Sequence, residues 1–141
     1  MRILLAVDES KSSQQAIEKI TQQFRRDNVE VRILHVLQPV STTAPPQMAA
    51  GYAPELQDLA KPARELLARA AKSLTDAGFK TETLLREGDV RETILDIAQE
   101  WKADLIVIGS RGRSGVQRFL LGSVAESVAR HALCSVEIVR V

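Results

Sequence analysis

The chain has 141 residues, 45% of them apolar and 26% charged, with a formal net charge of +1. That is enough for one domain with a core that needs no disulfide or metal staple. The near-neutral balance and an aromatic content of 4% argue against a general electrostatic pull toward nucleic acid or membrane surfaces, and against a base-stacking platform. The single cysteine, Cys134, excludes an intramolecular disulfide and predicts a reducing, cytoplasmic setting with a buried, inert thiol. No apolar run is long enough for a bilayer span or a signal-peptide core.

Strand-like and helix-like segments alternate along the chain. Ile3 to Val7 is continuously apolar, as expected of a strand covered on both faces. A helix follows from near Ser10, with Ala16, Ile17, Ile20 and Phe24 at helical spacing. Val29 to Val36 reads as the second strand, and His35 within it as a packed strand residue. Gln38 to Ala53, with Pro39, Pro45, Pro46, Gly51 and several hydroxyl residues, reads as a long connection that serves as a lid or a plain linker. From Glu55 an amphipathic helix carries Leu56, Leu59, Ala63, Leu66, Leu67, Ala70 and Leu74, with Gly78 placed to end it in a left-handed turn.

Thr81 to Leu85 is a short third strand. Asp89 followed by Glu92 opens a helix whose apolar face holds Ile94, Leu95, Ile97 and Ala98, with Trp101 as a packing residue. Leu105 to Ile108 is a buried fourth strand, a glycine-rich segment leads to a helix from Ser123 to His131, and Val136 to Val141 is the fifth strand. This order predicts one α/β domain over residues 1–141, with a parallel sheet, right-handed crossovers and helices on both faces. In such sheets ligands sit beyond the carboxyl ends of the strands, where strand order reverses. The chemically loaded exits are Asp8 after the first strand and Gly109 onward after the fourth.

The segment from Gly109 to Ser123 has the chemistry of a phosphate cradle. Its glycines allow close backbone approach and a concave nest of N–H groups. Ser123 stands at a helix start, where unpaired N–H groups favour an anion. Arg111, Arg113 and Arg118 add cationic donors. The same residues also suit a tight turn, a capping box of Ser123 with Glu126, and a solvated basic face. No Gly-Lys-Ser/Thr makes it a Walker loop, and a dinucleotide turn would follow the first strand instead.

Gly109-x-x-Gly112, nine residues, then Gly122-Ser123 resembles the ATP-binding signature of the universal stress protein family. The likeness runs along essentially the whole chain, through Val7-Asp8-Glu9-Ser10, the His35-Val36 strand exit and the valine-rich final strand. The resemblance implies a doubly wound five-stranded parallel sheet of order 3-2-1-4-5, similar to adenine nucleotide alpha hydrolases. It implies ATP as ligand, with Ala6, Val7 and Asp8 beside the adenosine and Val36 offering backbone to the adenine edge. Gly109 would lie near the ribose, and Gly112, Arg113, Ser114, Gly122, Ser123 and Val124 would hold the phosphates. Arg111 stands where the family often has His and adds positive charge there. Mg²⁺ or Mn²⁺ would arrive with the phosphates, since no cluster here has metal-ligand spacing. A homodimer through Val136 to Val141 and an unidentified protein partner are also implied.

The leading expectation is a nucleotide-responsive regulatory module in a stress response. A slow metal-dependent ATPase or phosphotransfer enzyme is the alternative, with Asp8 or Glu9 orienting water, although neither a general base nor a Walker lysine is evident. A phosphoacceptor receiver domain is a third class. Asp8-Glu9 suits its acidic pair, but the fifth strand ends without the lysine that fold uses.

Overall fold

The computed structural model describes residues 1–39, 46–111 and 121–140, and for residues 46–59 it describes helical backbone. In chain order the elements are β1 (Arg2–Ala6), α1 (Lys11–Gln23), a 3₁₀ turn (Arg26–Asn28), β2 (Glu30–Leu37), α2 (Pro46–Asp76), β3 (Lys80–Glu87), α3 (Val90–Trp101), β4 (Leu105–Gly109), α4 (Ser123–His131) and β5 (Ser135–Val139). The strands form one sheet in the order β3-β2-β1-β4-β5, and every pairing is parallel. The expected order 3-2-1-4-5 is therefore observed.

The apolar runs of the strands are explained by alternation across a doubly covered sheet. Ile3, Leu5 and Val7 point to one side and pack with Ala16 and Ile20 of α1 and Leu66, Leu67, Ala70 and Leu74 of α2. Leu4 and Ala6 point to the other side, toward Ile94, Ile97 and Ala98 of α3 and Ala125 and Val128 of α4. Burying Ile3, Leu4 and Leu5 completely contributes roughly 1.5–3 kcal/mol per side chain.

Local chemistry fixes the helix ends. Asp89 accepts from the Glu92 N–H at 3.0 Å and so caps α3 as its sequence predicts. After α2, the N–H of Gly78 bonds the Thr75 carbonyl at 2.9 Å and that of Phe79 bonds Leu74 at 3.0 Å. This paired pattern places Gly78 at φ +95°, a conformation that a Cβ disfavours.

Two expectations need correction. The connection read as Gln38 to Ala53 is shorter, because α2 begins at Pro46 and runs for 31 residues. A proline at the first helical position gives up an N–H that the helix does not use there, and its fixed φ already suits the helix. Residues 40–45 of that connection lie outside the described residues, and so does any lid role for them. The cap of α4 is Gly122, with no side-chain cap hydrogen bond. Ser123 is therefore the first helical residue, and the Ser123–Glu126 capping box does not form; Glu126 instead pairs with Arg130 at 2.9 Å.

Candidate functional site

The chain steps outward through β1, β2 and β3, then crosses to β4 and β5 on the other side of β1. The reversal lies between β1 and β4, whose rungs run from Ile3–Leu105 to Ala6–Ile108. Two chain exits in opposite directions leave a crevice at that point. Asp8 and Gly109 therefore emerge side by side, which the sequence could only suppose.

On the β1 side the turn is built by side-chain hydrogen bonds. Oδ1 of Asp8 accepts the Ser10 N–H at 2.8 Å, and the Ser13 hydroxyl oxygen accepts the Asp8 N–H at 2.9 Å. Ser10 caps α1 by accepting the Ser13 N–H at 3.2 Å. Asp8 is half-buried, and one of its oxygens shapes the turn. Its carboxylate thus has a structural duty in the turn, the capping role that its place before the helix suggests.

Val7 and Val36 meet at the end of the ladder. The Val7 N–H bonds the Leu34 carbonyl at 2.9 Å. The next rung of a parallel ladder would bring the Val36 N–H to the Val7 carbonyl. His35 Nδ1 bonds that carbonyl at 2.7 Å. A carbonyl only accepts, so Nδ1 carries the proton in this bond. Alternate residues of a strand face alternate neighbours, so Val36, two beyond Leu34, turns its backbone toward the β1 side past the last rung. His35 is thus more than the packed strand residue its sequence context predicts: its ring bonds the Val7 carbonyl just beyond the end of β1.

On the β4 side, Gly109 is shaped by crowding. A Cβ there would lie 2.9 Å from both the Cβ and the carbonyl carbon of Ser12, so glycine is what lets α1 approach the strand end. Ser110, only 4% exposed, donates its N–H to Val139 at 2.8 Å and accepts the Gly122 N–H at 2.6 Å. The entry and exit of the glycine segment are thereby joined at a neck. Arg111 is half-buried and is held through its backbone by the Ser12 hydroxyl, which donates to its carbonyl at 2.6 Å. Gly112, Arg113 and Ser114 lie outside the described residues.

Beyond the neck, Gly122 and Val124 are half-buried and Ser123 is exposed. Among the described residues no side chain caps α4, and the first N–H groups of a helix with the positive end of its dipole favour an anion. Ala6, Val7, Asp8, Val36, Gly109, Arg111, Gly122, Ser123 and Val124 thus come from the carboxyl ends of β1, β2 and β4 and from the start of α4. Sequence reasoning missed Ser12 and Ser13, which are 1% and 3% exposed. Their signal is the cluster Ser10, Ser12, Ser13 between a buried strand and an apolar helix face.

The other reactive groups sit apart. Cys134 is half-buried against the α3/α4 core, and burial pushes its thiol pKa up, which keeps it protonated and a poor nucleophile. Trp101 packs on the same core with the Arg32 guanidinium 4.4 Å from its ring centre. Among the described residues no group of three His, Cys, Asp or Glu is placed to hold a metal ion, and no helix is long and apolar enough to cross a membrane.

Comparison with known proteins agrees with this geometry. A universal stress protein of Bacillus subtilis (strain 168), YxiE, is 31% identical, with 99% of this chain and 98% of that protein covered. A universal stress protein solved in complex with cAMP is 28% identical, with a TM-score of 0.71 over 99% of this chain and 96% of that one. The universal stress protein of Archaeoglobus fulgidus solved in complex with dAMP is 26% identical, with a TM-score of 0.69 over 99% and 97% of the two chains. Residues 1–140 match the universal stress protein family, and the chain belongs to that family.

Proposed function

We propose that this protein binds ATP in the β1/β4 crevice and acts as a nucleotide-responsive regulatory module rather than a catalyst. The observation that carries the reading is the meeting of the Asp8 turn with the neck of the glycine segment at the sheet's reversal point. Adenine nucleotides in the cAMP and dAMP complexes of similar proteins support the ligand class. The backbone of Val36 would meet the adenine edge, with Ala6 and Val7 flanking the base and Asp8 and Gly109 beside the sugar. The phosphates would lie toward Arg111, Gly112, Arg113, Ser114 and the start of α4 at Gly122, Ser123 and Val124. A divalent cation, Mg²⁺ or Mn²⁺, would arrive held by the phosphates and water.

The sheet edges support a homodimer through β5. The β3 edge exposes Lys80, Glu82, Arg86 and Glu87, charges that discourage edge pairing. Near β5, Leu133 is 85% exposed and Val136 and Ile138 are only partly covered. Nucleotide occupancy would reach that edge through the Ser110–Val139 bond and be read there by a second copy or another protein.

Mass spectrometry of ligand released from the purified protein, with calorimetric ATP titration of wild type and Gly122→Val, tests the reading. Copurified adenine nucleotide and an affinity loss of at least about tenfold in the variant are expected, because a branched side chain would crowd backbone donors at a helix N-terminus. Neither released nucleotide nor measurable ATP affinity in the wild type would refute it. Fast metal-dependent phosphate release that disappears in Asp8→Asn would move the reading to an enzyme.

A further inference from the structure

The hydroxyls of the first helical turn form a directed chain whose proton order can be deduced. A serine hydroxyl has one proton to donate. That of Ser12 goes to the Arg111 carbonyl at 2.6 Å, which can only accept. The 3.2 Å contact between Ser10 and Ser12 therefore runs from the Ser10 hydroxyl to Ser12 Oγ. The remaining lone pair of Ser12 faces the Arg111 N–H at 3.4 Å. Behind Ser10, its own oxygen accepts from Ser13 and its N–H donates to Asp8.

This chain joins the two halves of the crevice, from the Asp8 turn to the point where the glycine segment leaves the sheet. The neighbouring Ser110 is held by β5 and by the exit of the segment. Arg111 is held at both backbone groups by one side chain, that of Ser12. The contact depends on Gly109, since a Cβ there would press on Ser12.

We propose that Ser12 is a positioning residue for the phosphate half of the nucleotide site: its hydroxyl fixes Arg111 at the root of the glycine segment before ligand arrives. This rests on the nucleotide-binding reading given above. Presetting the root lowers the ordering cost that a phosphate-bearing ligand would otherwise meet on binding. Adenosine, which ends at the sugar, does not draw on it.

Calorimetric titration of adenosine, AMP and ATP into wild type and Ser12→Ala is the test. The variant should bind adenosine within about twofold of wild type and ATP about five- to tenfold more weakly, the scale of one lost hydrogen bond. Equal losses for adenosine and ATP, or no loss for either, overturn the proposal. Amide exchange in unliganded wild-type protein, read by NMR, examines the same bond without a variant and decides the matter if Ser12→Ala does not fold. Exchange of the Arg111 amide at least about tenfold slower than in a free peptide supports the proposal, and free-peptide exchange overturns it. A wild type that binds none of the three ligands fails the nucleotide reading and takes this proposal with it. Wild-type binding with an unchanged ATP-to-adenosine ratio in the variant removes only the role of Ser12.

Discussion

At the residue scale, the Asp8 carboxylate builds the turn that follows β1 and stands at the proposed nucleotide site. Oδ1 accepts the Ser10 N–H and shapes the turn, a duty that an asparagine carbonyl performs equally well. The charge itself is not needed for that bond. Asp8→Asn should therefore leave the thermal midpoint nearly unchanged while weakening adenine nucleotide binding about fivefold, since hydrogen bonds to charged groups exceed neutral ones by about 1 kcal/mol. Paired melting curves and ATP titrations check this, and a large drop in midpoint with intact affinity would assign Asp8 to the turn alone. Asp8 was legible in the sequence because an acidic residue closed a buried apolar run. Ser12 was not, because its partner Arg111 lies 99 residues away and no local pattern announces that contact.

At the element scale, two helices end with the same hydrogen-bond pattern and different residues. Gly78 follows α2 at φ +95° without a Cβ to resist it. Lys102 follows α3 at φ 57° and ψ 53°, where an L side chain costs about 1 kcal/mol. Its N–H reaches Gln99 at 3.2 Å while that of Ala103 reaches Ala98 at 2.9 Å. Lys102→Gly should thus raise unfolding stability by about 0.5–1 kcal/mol, measurable as a higher urea midpoint at constant slope; an unchanged or lower midpoint would contradict it. Gly78 announces its stop in the sequence, and Lys102 does not. The start of α2 is hidden in the sequence for a related reason: proline and glycine mark turns on average, yet Pro46 opens a helix without losing a needed bond.

At the scale of the whole molecule, β1 and β4 lie at the centre and both faces are sealed by helices. Ile3, Leu4, Leu5, Ile106 and Val107 are fully buried, so this middle is the rigid floor of the crevice. The outer strands differ in character. The charged β3 edge resists pairing, while β5 keeps apolar groups near the surface. If the β5 edge joins two copies, Val136→Glu should shift sedimentation from dimer to monomer with little change in far-UV circular dichroism, because Val136 is only partly buried. A wild type that sediments as a monomer at micromolar concentration would remove that assembly.

The sequence by itself determined the element types, their alternation and the apolar faces, because periodicity and doubly covered strands leave a local imprint on residue order. It also supplied both halves of the crevice, the acidic exit of β1 and the spaced glycines after β4, and through their spacing the family. Only the tertiary structure decided that those halves adjoin, since strand order depends on which crossovers pack and not on any window of sequence. It likewise decided that His35 bonds the Val7 carbonyl, that Gly122 rather than Ser123 caps α4, and that Ser12 holds Arg111. Each of these is a contact or a backbone angle set by the packing of distant segments, and the glycine segment's root is held in place by a serine from the far end of the chain.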